Sequence, residues 1–213
     1  DWWAVLVVAA PPPPGYSECE RRDPHRRGRG LAAMDQSTDG VTLHAGFVFD
    51  VLAEYRSMGK VCAPVFEKVQ HLSEERPDEL VPIKLYNDVC EFIEETFGPA
   101  SIRSAGEQVG KRVHAGMRAN GLLAEDASVA DTMRALRKAA DVVIHDPKKR
   151  GWELLEEGPK LLVMRRTQTF NSSLQFGLLR SLAEAAGARG LTVELVRSVK
   201  KGDEFDEYRL KWL

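Results

Sequence analysis

The chain has 213 residues, 43% hydrophobic and 29% charged, enough to bury one good core without disulfide or metal support. Its 30 basic and 32 acidic residues are scattered, giving a net charge of -2, which excludes any broad field for nucleic acid or anionic lipid; neither is expected as a partner. Cys19, Cys62 and Cys90 lack a Cys-x-x-Cys spacing, so they fit neither a disulfide framework nor a zinc knuckle and point to a reducing, cytoplasmic setting.

No run approaches the roughly 20 apolar residues of a spanning helix. The longest, Trp2 to Ala10, resembles the apolar part of a signal peptide, but Asp1 stands where a basic region belongs and Pro11 to Pro14 follow, which argues against secretion. Residues 1–40 read as a disordered or artefactual extension. Their arginines, Arg21, Arg22, Arg26, Arg27 and Arg29, sit among Pro and Gly without helix or strand period, and translation is expected to begin at Met34. Residues 41–213 read as one domain.

From Gly46, Phe47, Val51, Leu52, Tyr55 and Met58 recur at helical spacing, and Gly59 ends the run. A second helix has Pro64 in its first turn and a stripe of Val65, Val69 and Leu72. Pro82 opens a third, with Ile83, Tyr86, Val89, Cys90, Ile93 and Phe97 on its buried face and Gly98 as its stop. Ser101 or Ser104 caps a fourth, on which Ile102, Ala105, Val109, Val113 and Met117 form the stripe while Gly106 and Gly110 thin one flank. The fifth spans roughly Ser128 to Ile144 and ends before Pro147.

The side-chain period then changes from about four to two. Trp152 to Glu157 and Lys160 to Gln168 read as a hairpin joined by Gly158-Pro159. Ser172 or Ser173 caps a helix bearing Leu174, Leu178, Leu182 and Ala185. Leu191 to Val199 and Phe205 to Leu213 form a last pair of strands around Lys200-Lys201-Gly202-Asp203. The expected class is α+β: a five-helix N-terminal portion packed on a four-stranded antiparallel sheet of order β-β-α-β-β.

Three stretches carry a family likeness: Val81-Pro82 with Tyr86, Ala105-Gly106-Glu107-Gln108-Val109-Gly110-Lys111, and the terminal run from Lys201-Gly202-Asp203 to Trp212. With the element order, they resemble the superfamily of haem nitric-oxide-binding domains, 4-vinyl-reductase-type ligand-binding domains and TRAPP small subunits, most of all its Myxococcus-type branch. The resemblance covers about Thr42 to Trp212. It implies a ligand held between helices and sheet, or assembly into a protein complex.

Two departures limit what the likeness carries over. Where many relatives have metal-binding cysteines around the terminal Gly-Asp pair, this chain has Ser198 and Asp206, a poor zinc set, so no metal is expected. Haem-binding members use a proximal His and a Tyr-x-Ser-x-Arg signature for the propionates. The matching stretch, Phe170-Asn171-Ser172-Ser173-Leu174, lacks the Tyr and the Arg, so no cofactor is expected.

No catalytic constellation emerges. His114 lies one residue off the stripe of the fourth helix, His145 suits the C-terminal end of its helix, and His44 and His71 have no partners at metal spacing. Cys62 and Cys90 read as buried inert thiols, Ser172 and Ser173 lack a Gly-x-Ser-x-Gly setting, and Gly106-x-x-x-Gly110 lacks the Lys-Ser/Thr pair of a phosphate loop and does not follow a strand. Most aromatics read as core, but Tyr86, Cys90, His114, Trp152, Phe170 and Phe176 are the residues expected to line a pocket if one exists. The chain therefore reads as a non-enzymatic sensory or regulatory domain for a small, largely apolar ligand. The alternative is a dimeric interaction module whose partner packs on the helix faces bearing Gly106, Gly110 and Gly116.

Overall fold

A computed structural model describes residues 36–213. The extension expected over 1–40 lies outside the described residues as far as residue 35. Beyond it, the Gln36 carbonyl accepts from Thr169 Oγ1 and the Ser37 carbonyl from Arg150, so residues 36 and 37 touch the body of the protein.

The class is α+β, with six α-helices and two antiparallel sheets among the described residues. In chain order these are β1 (Thr42–His44), α1 (Gly46–Leu52), α2 (Ala63–Val69), β2 (Leu80–Pro82), α3 (Ile83–Phe97), α4 (Pro99–Ala119), α5 (Val129–Val143), β3 (Ile144–His145), β4 (Trp152–Gly158), β5 (Leu161–Arg166), α6 (Ser172–Ala185), β6 (Thr192–Arg197) and β7 (Asp206–Lys211). The C-terminal β-β-α-β-β succession follows the expected order, and its strands stand as β4-β5-β7-β6.

The helical half differs from expectation. Three short strands interrupt it and form a second sheet, β2-β1-β3, in which Leu43 faces both Val81 and Ile144. Strands of two or three residues carry no legible alternation. Pro82, expected to open a helix, ends β2 with ψ 134° and stands just before α3, because its ring fixes φ while its extended ψ turns the chain. The first helix is shorter than its apolar spacing suggests: after Leu52 the chain tightens into a 3-10 helix, Ala53–Val61, kinked at Gly59 (φ 54°), and Met58 is left exposed. Gly98 (φ 84°) turns α3 directly into α4, which starts at Pro99 instead of at Ser101 or Ser104. Asn171, not either serine, caps α6: its Oδ1 accepts from Leu174 N at 2.9 Å.

Two layers meet in the core. Leu162, Met164, Tyr208 and Leu210 project from the inner face of the four-stranded sheet, and α6 lies across them with Leu174, Leu179 and Leu182 fully buried. Behind α6 runs α4, at backbone contact. A Cβ on Gly106 would lie 2.1 Å from the Leu174 carbonyl oxygen, and one on Gly177 would lie 2.0 Å from that of Arg103. Each helix thus presents a glycine to a carbonyl of the other. A Cβ on Gly110 would likewise lie 2.8 Å from the Leu178 carbonyl oxygen. The glycines at 106 and 110, expected to face a second protein in the interaction reading, are consumed inside the fold.

Candidate functional site

Strand parity builds the site. Leu162, Met164 and Arg166 occupy alternate positions of β5, so they share the inner face. The register sets Arg166 opposite Trp152 on β4 and Asp206 on β7. A guanidinium therefore enters the core, 1% exposed. Its Cζ lies 4.9 Å from the Trp152 ring centroid and 4.2 Å from that of Phe170. Phe170 meets Tyr86 edge-on at 5.7 Å, and Trp152 lies 5.9 Å from Tyr208. The cation sits in an aromatic cage at the junction of sheet, α3 and the approach to α6.

The cage is closed by residues 167–171, a strap held by side chains. Thr167 Oγ1 donates to the Gly151 carbonyl at 3.0 Å, Asn87 donates to the Thr169 carbonyl at 3.0 Å, and Asn171 donates to Glu94 at 2.6 Å. Gln168 bridges the cage to the outside: its Oε1 accepts from Arg166 Nη2 at 2.6 Å and its Nε2 donates to Asp146 at 3.0 Å. Asp146 also pairs with Arg150 at 2.7 Å. Among the described residues no carboxylate forms an ion pair with Arg166, and its buried Nε has no acceptor.

Burial lowers the Arg166 guanidinium to about 10, opposed by Tyr208, Tyr86, Asp141 and Asp146, so it remains charged at neutral pH. Burial pushes the Tyr86 and Tyr208 hydroxyls and the Cys90 thiol well up, so none is ionised near neutrality. Burial also raises Asp141, against the attraction of Arg137 and Arg166. The arrangement can attract and orient a negative group and stack flat apolar surface; it offers no activated nucleophile.

Four of the six residues expected at a pocket, Tyr86, Cys90, Trp152 and Phe170, come together here, Cys90 one turn along α3 from Tyr86. His114 and Phe176 do not. His114 lies on the outer flank of α4 beside Arg118, and burial with that neighbour lowers its pKa. Phe176 is partly buried under Arg103, whose Cζ is 4.5 Å from the ring. Arg166 was missed, although a charge at the core parity of an apolar strand is a legible signal.

At the places where relatives carry cysteines, Asp206 accepts from Ser172 Oγ at 2.7 Å and from Val199 N at 3.0 Å, while Ser198 N donates to Asp203. His145 stacks on His44 across the small sheet, centroids 6.2 Å apart. A surface cleft of about 550 Å³ lies between the start of α5, the β4–β5 turn and Trp212, and a groove of about 170 Å³ lies beside α1 and α2; neither is lined by His, Cys or Tyr. Among the described residues no helix is long and apolar enough to cross a membrane.

No family model matches the sequence, and no curated protein matches it. Solved structures of H-NOX domains do. An H-NOX protein from Shewanella oneidensis in the Fe(II)NO state superposes with TM-score 0.57 at 10% identity, covering 79% of this chain and 98% of that one. The same organism's SO2144 H-NOX domain in the Fe(II)CO state gives 0.55 at 9%, covering 79% and 98%. A third, from work on haem distortion in the H-NOX family, gives 0.54 at 13%, covering 80% and 95%. The chain has an H-NOX-like fold.

Proposed function

We propose that this chain is a non-enzymatic, cytoplasmic sensory or regulatory domain, of the Myxococcus-type branch of the H-NOX-like superfamily, that holds a small, largely apolar ligand between its helical layer and its four-stranded sheet. One observation carries the reading: Tyr86, Trp152 and Phe170 converge at that junction on a buried cation, beneath a strap closed by side-chain hydrogen bonds. Stable cores seldom need an internal charge, whereas ligand sites combine apolar walls with a few polar groups.

The fold family implies haem, and the residues here do not fit it. Leu174, where the propionate signature has its Arg, is fully buried in the contact with α4, and its carbonyl oxygen abuts Gly106. Helices at that distance leave no slot for a macrocycle. The histidines lie elsewhere: His114 on an outer flank, His71 exposed, His44 and His145 stacked together in the small sheet. No step is derived through haem.

Native mass spectrometry of the purified protein, with its visible absorption spectrum, tests the reading. A co-purifying small molecule other than haem is the expected result. A stoichiometric Soret band, or failure of every apolar compound in a small-molecule screen to shift the melting temperature, would overturn it.

A further inference from the structure

We infer that Arg166 is an anion-reading group and that the ligand of the cage is a small aromatic monocarboxylate; the inference deepens the ligand-binding reading above and rests on it. A guanidinium offers five donors in a planar fork, and this one gives its Nη2 to a neutral amide oxygen, Gln168 Oε1 at 2.6 Å, while its Nε is buried without an acceptor. The acidic groups that act on it from a distance are already engaged or apart: Asp146 is bonded to Arg150, Gln168 and the Lys148 amide, and Asp141 makes no ion pair with it. A buried cation without a counter-ion is costly, and ring faces recover only part of that cost.

The chemistry of the missing partner follows. A planar carboxylate matches the guanidinium fork with two parallel hydrogen bonds. Its charge must be single, because one cation faces it and the fields of Asp141 and Asp146 repel a second negative group. Its body must be flat and apolar, because Trp152 and Phe170 cover the guanidinium and Tyr86 and Tyr208 extend the walls. Entry requires the strap to lift. A carboxylate that takes the Nη2 donor displaces Gln168, whose other end holds Asp146, so occupancy and strap position are coupled.

Benzoate and benzamide are the probes: one shape, with and without the charge. On the full chain, calorimetry and melting curves are expected to show benzoate binding at least tenfold tighter than benzamide. Arg166→Met, verified as folded by circular dichroism, is expected to abolish that preference. Gln168→Ala keeps the cation and removes its competing acceptor, so it is expected to bind benzoate several-fold tighter, and it tests the inference even if the Arg166 variant fails to fold. Equal binding of the two probes overturns the monocarboxylate while leaving an apolar ligand in place. Undiminished benzoate preference in Arg166→Met, or a weaker affinity in Gln168→Ala, removes Arg166 from the role. Absence of binding by either probe overturns the inference, while the ligand reading beneath it is decided separately by the mass spectrometry and the apolar-compound screen.

Discussion

Replacing Gly106 or Gly177 by Ala sets helix propensity against packing, and packing is expected to win. In an isolated helix the change stabilises by about 1 kcal/mol. Here the new Cβ would lie 2.1 Å from the Leu174 carbonyl oxygen or 2.0 Å from that of Arg103. Carbon–oxygen contacts settle near about 3.3 Å, so α4 and α6 must part by about 1.2 Å at either point. The obstacle is backbone, which has no rotamer to turn aside, so the cost falls at or above the upper end of the usual range of about 1–3 kcal/mol for overpacking. A gap of that width also forfeits a quarter to a half of each dispersion contact along the interface. Net destabilisation of about 2 kcal/mol is expected for each variant, or a fall of about 4–8 °C in melting temperature for a chain of this size. The double variant should cost less than the sum, because helices already parted for one methyl admit the other. Urea unfolding followed by circular dichroism measures all three; a single variant as stable as the parent, or strict additivity, would refute the close-packing argument.

The cage makes a second prediction: burial lowers the Arg166 guanidinium to about 10, so its charge is a cost to the fold at neutral pH that is relieved as pH rises beyond that value. Arg166→Met should therefore leave unfolding stability unchanged or raise it by up to about 3 kcal/mol, and a loss beyond about 2 kcal/mol in a denaturant titration would contradict that. Acid should act in two stages. His44 is lowered by burial and by His145, against Asp78, and His114 by burial and Arg118, so the fold prefers both neutral and stability falls as pH drops below about 6.5. Glu94, despite burial, is held low by Lys200, Ser173 and Asn171, so its contribution is lost as pH falls below about 4.5; a flat denaturation midpoint between pH 7 and 5.5 would refute the first stage. Asn171→Ala removes both the cap of α6 and a donor to Glu94 and should cost about 1–2 kcal/mol by thermal melting, more than Ser173→Ala, which loses only one bond to Glu94.

The helices were legible because their burial is continuous and their period long. Ile83, Tyr86, Val89, Cys90 and Ile93 are all buried as spacing predicts, and so are Ile102, Ala105, Val109, Val113 and Met117. The four-stranded sheet was legible from the switch in side-chain period, which placed its strands within a few residues of β4 to β7. The three-stranded sheet was not, since Ile144–His145 and Leu80–Pro82 are too short for any period to register. Phe176 misled because its type was weighed without its angle: two residues from Leu174 is about 200° around a helix, on the opposite flank. Arg166 escaped for the converse reason, its position fitting the core and its type not.

The helix contact at Leu174 and the buried charge of Arg166 also explain why backbone likeness says so little about what this interior can hold. H-NOX domains share the path of this chain at 9–13% identity, so nearly every side chain facing the layer junction is free to differ. The backbone fixes where layers meet; a few side chains decide what can stand between them. On the side toward α4, Leu174, Gly106 and Gly177 bring the helices to contact and close the space. On the side toward the sheet, Arg166 keeps a charge inside that an apolar residue of the same volume is expected to replace without loss of stability. The first choice removes room for a large planar group, and the second is difficult to account for as packing alone. The inferred ligand, small and singly charged, matches an interior closed at one end and charged at the other.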